Sequence, residues 1–530
     1  MALKSRLSAL GVGLVAASLA LTACSSGKKT GGSDESGSAS GGTLVVAKVF
    51  DLKSVDPGHM YELTGMIADK AMYDTLVTYE GGNVKEAVPL LADMTVSDDA
   101  KTYTFKIKDG RTFSSGNPVT ADDVLFSLQR VQGMKGTPAF LLDGLSFEKA
   151  DDSTVVVSSK EAAPGVPAIM ANPAMGILDS KVVKENGGTT GTDDKAESWL
   201  NKNSAGSGPY TLSSMDVASQ VTMELNPKYD GPADPTYDKV VMQNTPASTQ
   251  KINVEGGQAQ LALDLSASQT KSADKSKVTV AESASAQMIF LFANQNKSVS
   301  PVTASPEFAE AMRLGVDYKA LLDMAGNGAV QATGVVPSIL GGAVPENGAA
   351  KQDLDGAKKA LKASGYKGEK IQLNYPSDIS VNGVDFNQLA QKLQVQLKEI
   401  GINADLAPAP VATELDKYRN GKEQIGLWYY GPDYPDASSY TAYGPGELMG
   451  LRAGWAEGAD DEVTKAATAA NQTVGDSRDE GYVAFGEALN EGGPFVPLFQ
   501  PGNNLLHANT LTNVDYNPIW TVDVASLGKK

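Results

Sequence analysis

The residues with the most capacity for chemistry gather in one stretch, YYGPDYPDASSYTAYGPG, from Tyr429 to Gly446. It sets two carboxylates, Asp433 and Asp436, among five of the chain's 18 tyrosines, in a chain that is only 7% aromatic. Its prolines and glycines, and the lack of any apolar period, mark it as a loop. A carboxylate walled by aromatic rings can hold a cationic group through charge-assisted hydrogen bonds and cation–π attraction. The same rings can be ordinary packing between elements, and loop composition alone leaves both readings open. Asp436 follows Pro435 and precedes a run of small residues, so it reads as a turn aspartate.

The rest of the catalytic inventory is thin. The chain has one cysteine, Cys24, and two histidines, His59 and His507. That leaves little for a zinc site, a thiolate nucleophile or a Ser-His-Asp arrangement. No phosphate-cradling glycine motif is present. No cofactor or metal is expected, and the balance favours binding over catalysis. The formal charge of −18 lacks the Lys and Arg clusters that neutralise phosphates, so nucleic acid is not expected as a partner.

The amino terminus, MALKSRLSALGVGLVAASLALTACSS, places Lys4 and Arg6 before an uncharged apolar run, Leu7 to Leu21. This is the anatomy of a secretory signal rather than a membrane span. It closes on Leu21-Thr22-Ala23-Cys24, which resembles a bacterial lipobox, so residues 1–23 are expected to be cleaved and Cys24 acylated. Residues 24–41 are almost wholly Gly, Ser and charge, a flexible tether with a root-mean-square span of about 25 Å by random-coil scaling. The reading is an extracytoplasmic protein, lipid-anchored to the cell membrane.

The remaining chain is longer than one core usually supports, so two or three domains are expected. Strand-like and helix-like segments alternate, which argues for an α/β body. Thr43–Val49 reads as a buried strand and Leu63–Tyr73 as a helix. Lys101–Phe113 alternates apolar and polar residues up to Asp109-Gly110, a hairpin signal. Thr120 and Asp123 form a capping-box pattern before a helix whose apolar face carries Val124, Leu125, Leu128 and Val131. Leu389, Leu393, Leu397 and Ile400 share a helical face that stops at Gly401. Ile402–Leu406 and Ile425–Tyr429 read as strands, and the tyrosine-rich loop leaves the carboxyl end of the second. Open α/β sheets bind ligands outside such strand ends, which moves the loop toward a site.

From about Gly42 to about Leu527 the sequence resembles the family 5 extracellular solute-binding proteins of bacterial ABC importers, the peptide- and oligopeptide-binding group. The residues that carry the likeness are VPLLADMTVSDDAKTYTFKIKDGRTFSSGNPVTADDVLFSLQR from Val88, then GSGPYTL at 206–212 and LNPKYDG at 225–231. ALKASGYKGEKIQLNYP and LAQKLQVQLKEIGINADL follow in the same order.

The resemblance implies a two-lobed type II periplasmic-binding-protein fold with an additional α/β domain and a hinge between lobes. Lobe I would combine residues 42–73, 178–285 and 499–530; the additional domain would be 74–177 and lobe II 286–498. The crossings would fall near Gln287 and Phe499. The function implied is delivery of short peptides, bound between the lobes, to ABC transporter permease subunits, by a monomer that is not an enzyme. Asp433 aligns with the family's aspartate that pairs with the ligand's amino terminus. Main-chain partners would come from Tyr429, Tyr430 and Gly431, and from Met60, Tyr61, Glu62 and Leu63.

Two departures stand out. Some relatives carry a tyrosine after a proline near the ligand's amino terminus, where this chain has Phe140. Some carry an arginine for the ligand carboxylate, where this chain has Leu427. An oligosaccharide or another small metabolite is the alternative ligand, with Trp428, Tyr429, Tyr430 and Trp455 as a stacking surface.

Overall fold

Near-continuous apolar runs supply three strands of one sheet, Met288–Ala293, Ile425–Tyr430 and Phe495–Gln500, as expected where a sheet is covered on both faces. The computed structural model describes residues 41–530. The leader, Cys24 and the tether up to residue 40 lie outside the described residues.

One seven-stranded sheet centres on Thr43–Lys48, which runs parallel to Lys239–Asn244 on one side and Leu261–Ala262 on the other. Gln220–Leu225 and Tyr210–Asp216 extend it one way, Gly502–Ala508 and Val278–Ala284 the other. A six-stranded sheet has the order Val330–Gln331, Phe495–Gln500, Met288–Ala293, Ile425–Tyr430, Lys370–Pro376 and Asn403–Ala409. A four-stranded antiparallel sheet, from Ala92–Val96 to Thr154–Ser159, lies in the segment between residues 74 and 177. The fold is a bilobed α/β architecture, one large sheet to each lobe.

Chain passes between the large sheets at two adjacent places. Ser285 N–H donates to the Pro501 carbonyl at 3.0 Å, and the Gln500 side-chain amide donates to the Ser285 carbonyl at 2.9 Å. The second pass sits slightly later than the sequence suggests. Phe499 still pairs with Ile289 and Gln500 with Val330, so Phe495–Gln500 belongs to the six-stranded sheet to its end.

Local signals explain the elements near the cleft. Thr120 and Asp123 close a capping box at the start of the helix Ala121–Met134. Phe386–Glu399 buries Leu389, Leu393 and Leu397, and Gly401 beyond its end has φ +104°, a conformation that favours glycine. The hairpin expected at Asp109-Gly110 does not form. Gly110 turns with φ +82°, but Thr102–Ile107 pairs with Ala92–Val96 and Thr154–Ser159 instead of the residues after the turn. Distant partners with better apolar faces outcompete the local one.

One buried ion cluster joins the four-stranded region to the seven-stranded lobe. Arg130, on the helix Ala121–Met134, is fully buried and grips two carboxylates bidentately. It reaches Asp56 at 2.6 and 2.7 Å and Asp194 at 2.8 Å twice. Burial alone would raise the Asp56 carboxyl, but the bonds from Arg130 and His59 outweigh it and hold the group at about 2.

Candidate functional site

The strand Ile425–Tyr430 (IGLWYY) positions the tyrosine-rich loop. It pairs with Met288–Ala293 along its whole length, from Ile425↔Ala293 to Tyr430↔Met288. Its other neighbour, Lys370–Pro376, covers only Ile425 and Gly426. Among the described residues no strand lies beside that edge from Leu427 onward, and the chain then turns out through Gly431 and Pro432 at the lobe boundary.

Side chains alternate across the strand. Ile425 and Leu427 join the core beneath the helix Phe386–Glu399, and Tyr429 meets Phe386 edge-on at 6.1 Å. Trp428 and Tyr430 point the other way. Trp428 stacks on Tyr418 at 4.4 Å, is 3% exposed, and donates its indole N–H to Glu423 at 2.8 Å. It is therefore a core residue, and its expected role against a ligand is corrected. Trp455 is 4% exposed in the same core, so the surface proposed for stacking on sugar rings loses both tryptophans.

The loop's tyrosines divide in the same manner. Tyr440 and Tyr443 are fully buried and stack at 6.3 Å, with Tyr430 edge-on to each. Tyr429 and Tyr434 line a cavity of about 240 Å³ at the lobe boundary, with Asp433, Gly431, Tyr61 and Leu63. So three of the five are packing and two are wall. Asp436 is spent on structure: it caps the following turn by accepting from Ser438 N–H at 2.8 Å, and it forms an ion pair with Arg478.

Asp433 faces the opposite lobe. The Tyr61 hydroxyl donates to its carboxylate at 2.9 Å, across a sequence separation of 372 residues. Among the described residues Asp433 enters no ion pair, although the carboxylate stays accessible to solvent. Desolvation by the cleft walls pushes its carboxyl above the ordinary range, partly offset by the Tyr61 bond, and no cation contributes. Phe140 stands edge-on to Tyr61 at 5.4 Å and is 43% exposed.

The other expected residues of the first lobe sit differently. The Met60 side chain is fully buried, packed where a Cβ on Gly65 would otherwise stand, 2.3 Å away, so only its main chain is left for a ligand. Glu62 turns away to pair with Lys53 at 2.9 Å and to accept from Tyr61 N–H at 3.2 Å. Leu63 lines the cleft and is 48% exposed. Two bolts hold this segment. Asp51 accepts from the Leu63 and Thr64 N–H groups at 3.2 and 3.0 Å, capping the helix Leu63–Met72. Asp56 accepts from Gly58 N–H at 3.0 Å while held by Arg130.

A second cavity of about 430 Å³ continues the cleft, sharing Leu63, Gln287 and Pro518 with the first. Gln287, at the crossing between lobes, is the functional candidate the sequence did not single out. A Cβ on Gly431 would fall 2.4 Å from its side-chain amide, so glycine at 431 admits this amide to the cleft. A polar residue just ahead of the apolar strand Met288–Ala293 was the available signal. Among the described residues no group of three or more His, Cys, Asp or Glu could hold a metal ion, and no helix is long and apolar enough to cross a membrane.

A bilobed α/β body, with a carboxylate and aromatic walls at the lobe boundary, is the arrangement of a binding protein that takes its solute between lobes. Residues 86–446 match the model of the bacterial extracellular solute-binding proteins, family 5, and the chain belongs to that family. It is the extracytoplasmic solute-binding component of an ABC importer, not an enzyme. It is similar to the probable D,D-dipeptide-binding periplasmic protein DdpA of Escherichia coli, 25% identical over 490 residues, covering 90% of this chain and 92% of that one. It is also similar to a dipeptide-binding protein of Pseudomonas aeruginosa, 24% identical over 510 residues, covering 89% and 92% respectively. Among solved structures it shares its fold with the ABC transporter substrate-binding protein CtaP of Listeria monocytogenes, TM-score 0.78 at 22% identity, covering 93% of this chain and 100% of that one.

Proposed function

We propose that this chain binds short peptides with a free amino terminus in the interlobe cleft and passes them to its membrane permease. The observation that carries the reading is Asp433: a carboxylate at the lobe boundary that, among the described residues, has no protein cation and is bonded only to the Tyr61 hydroxyl of the other lobe. A ligand ammonium supplies the missing charge and can share the carboxylate with that hydroxyl. Tyr429, Tyr434 and Phe140 exclude water around it.

The uncovered edge of Leu427–Tyr430 supports main-chain pairing with an extended peptide. On the other lobe the Met60, Tyr61 and Leu63 N–H groups already donate within the protein. That lobe's share of the pairing therefore falls to the Glu62 N–H and to the Met60 and Tyr61 carbonyl oxygens. The names of the two curated relatives point the same way. Acylation of Cys24 would hold the protein at the membrane, and Cys24→Ser should move it from the membrane to the soluble fraction or leave it unprocessed.

The test is calorimetric titration with a short peptide and its N-acetylated counterpart. The free peptide should bind and acetylation should weaken it by about 30-fold or more, the cost of losing a charge-paired partner. Equal affinity for the two would contradict the proposal.

A further inference from the structure

We infer that the solute is a cation whose far end is neutral, an amine-terminated chain ending in or continuing through a carboxamide rather than a free carboxylate. The inference rests on the amine-binding reading of Asp433 and deepens it.

The charges of the cleft carry the argument. Along the two connected cavities the charged lining residues are Asp433, Lys48 and Asp264. Lys48 is the one cation among them, and it is not available. Its side chain is 6% exposed and lies 3.3 Å from Asp264. Asp264 is itself fixed by Val49 N–H at 2.7 Å and the Gln250 amide at 2.8 Å. Among the described residues lining these two cavities there is therefore one unbalanced negative charge and no free cation for an anionic terminus. A carboxylate brought into the second cavity would lose water without gaining a counter-ion.

The neutral groups there favour an amide. Gln287 and Asn503 line the second cavity with side-chain amides, each of which carries both a donor and an acceptor. A ligand amide can meet both kinds of group; a carboxylate provides only acceptors. Ser266, Ser380 and Asn382 add further uncharged polar wall.

The experiment titrates the folded protein with tetrapeptides of one sequence, as free acid and as carboxyl-terminal amide, each with a free amino terminus. The amide should bind about tenfold tighter, the factor expected of one unmet hydrogen-bonding group. Equal or tighter binding of the acid would overturn the inference while leaving the amine reading intact. Binding of neither peptide would overturn both. In Asp264→Asn the Lys48 ammonium loses its partner, and the preference should shift toward the acid. An unchanged preference in that variant would overturn the assignment of selectivity to the Lys48–Asp264 pair.

Discussion

At the scale of residues, the two aspartates of one loop have opposite fates. Asp436 has its cap and its arginine, and nothing about it waits for a ligand. Asp433 has a tyrosine and solvent. Because Asp433 must be ionised to hold an ammonium, affinity should fall as pH drops through its raised pKa. The Tyr61 bond lowers that pKa, so Tyr61→Phe should raise it and move the pH of half-maximal binding upward. Affinity at neutral pH should fall by up to about tenfold. Titration of peptide binding against pH in both proteins checks this, and a midpoint that stays put or moves down would contradict it. The sequence showed the loop, its tyrosines and the turn character of Asp436. It could not show Tyr61 against Asp433, since nothing local links residues so far apart. It also could not sort Trp428 from Tyr429, because a strand that is apolar throughout gives no alternation to read.

At the scale of elements, the cleft is held by buried charges whose partners lie on other segments. Arg130 anchors its helix to the segment that carries Tyr61. Arg130→Met would leave Asp56 and Asp194 buried without their cation, a loss of about 3–5 kcal/mol in stability. Chemical denaturation should show it. Wild-type stability should also fall in acid, since the contribution of a depressed carboxyl is present above its unfolded value of 3.8 and lost toward about 2.

The pair Glu414–Glu423 behaves in the opposite sense. Burial, then the neighbouring Glu414 carboxyl, raises the Glu423 carboxyl to about 10. A raised carboxyl contributes stability that is full below its unfolded value of 4.5 and lost as pH climbs toward 10. Glu423→Gln should flatten the fall of melting temperature across that range, and an unchanged slope would contradict the assignment. Capping boxes and helix faces were legible because their signals are local, as Thr120 with Asp123 shows. The hairpin at Asp109-Gly110 was misread because strand partners are chosen by the whole sheet.

At the scale of the whole molecule, two lobes meet over a cleft whose walls belong to different sheets, and the crossings lie side by side at Ser285 and Pro501. Such a connection permits hinge closure on a ligand. Small-angle scattering should show a smaller radius of gyration at saturating peptide, and identical profiles would argue against closure. The division into lobes came from a resemblance spanning nearly the whole chain. Gln287 was legible only as a crossing; its place in the cleft was not, because that depends on a glycine far along the sequence.

The central claim is that Asp433 is the cation-binding group of the cleft. The direct test is calorimetric titration of wild type and Asp433→Asn with a peptide bearing a free amino terminus and with its N-acetylated form. The substitution keeps side-chain size and removes the charge, so the account predicts a loss of about 2–5 kcal/mol for the free peptide. It predicts little change for the acetylated one. Wild-type affinity of Asp433→Asn for the free peptide would contradict the account.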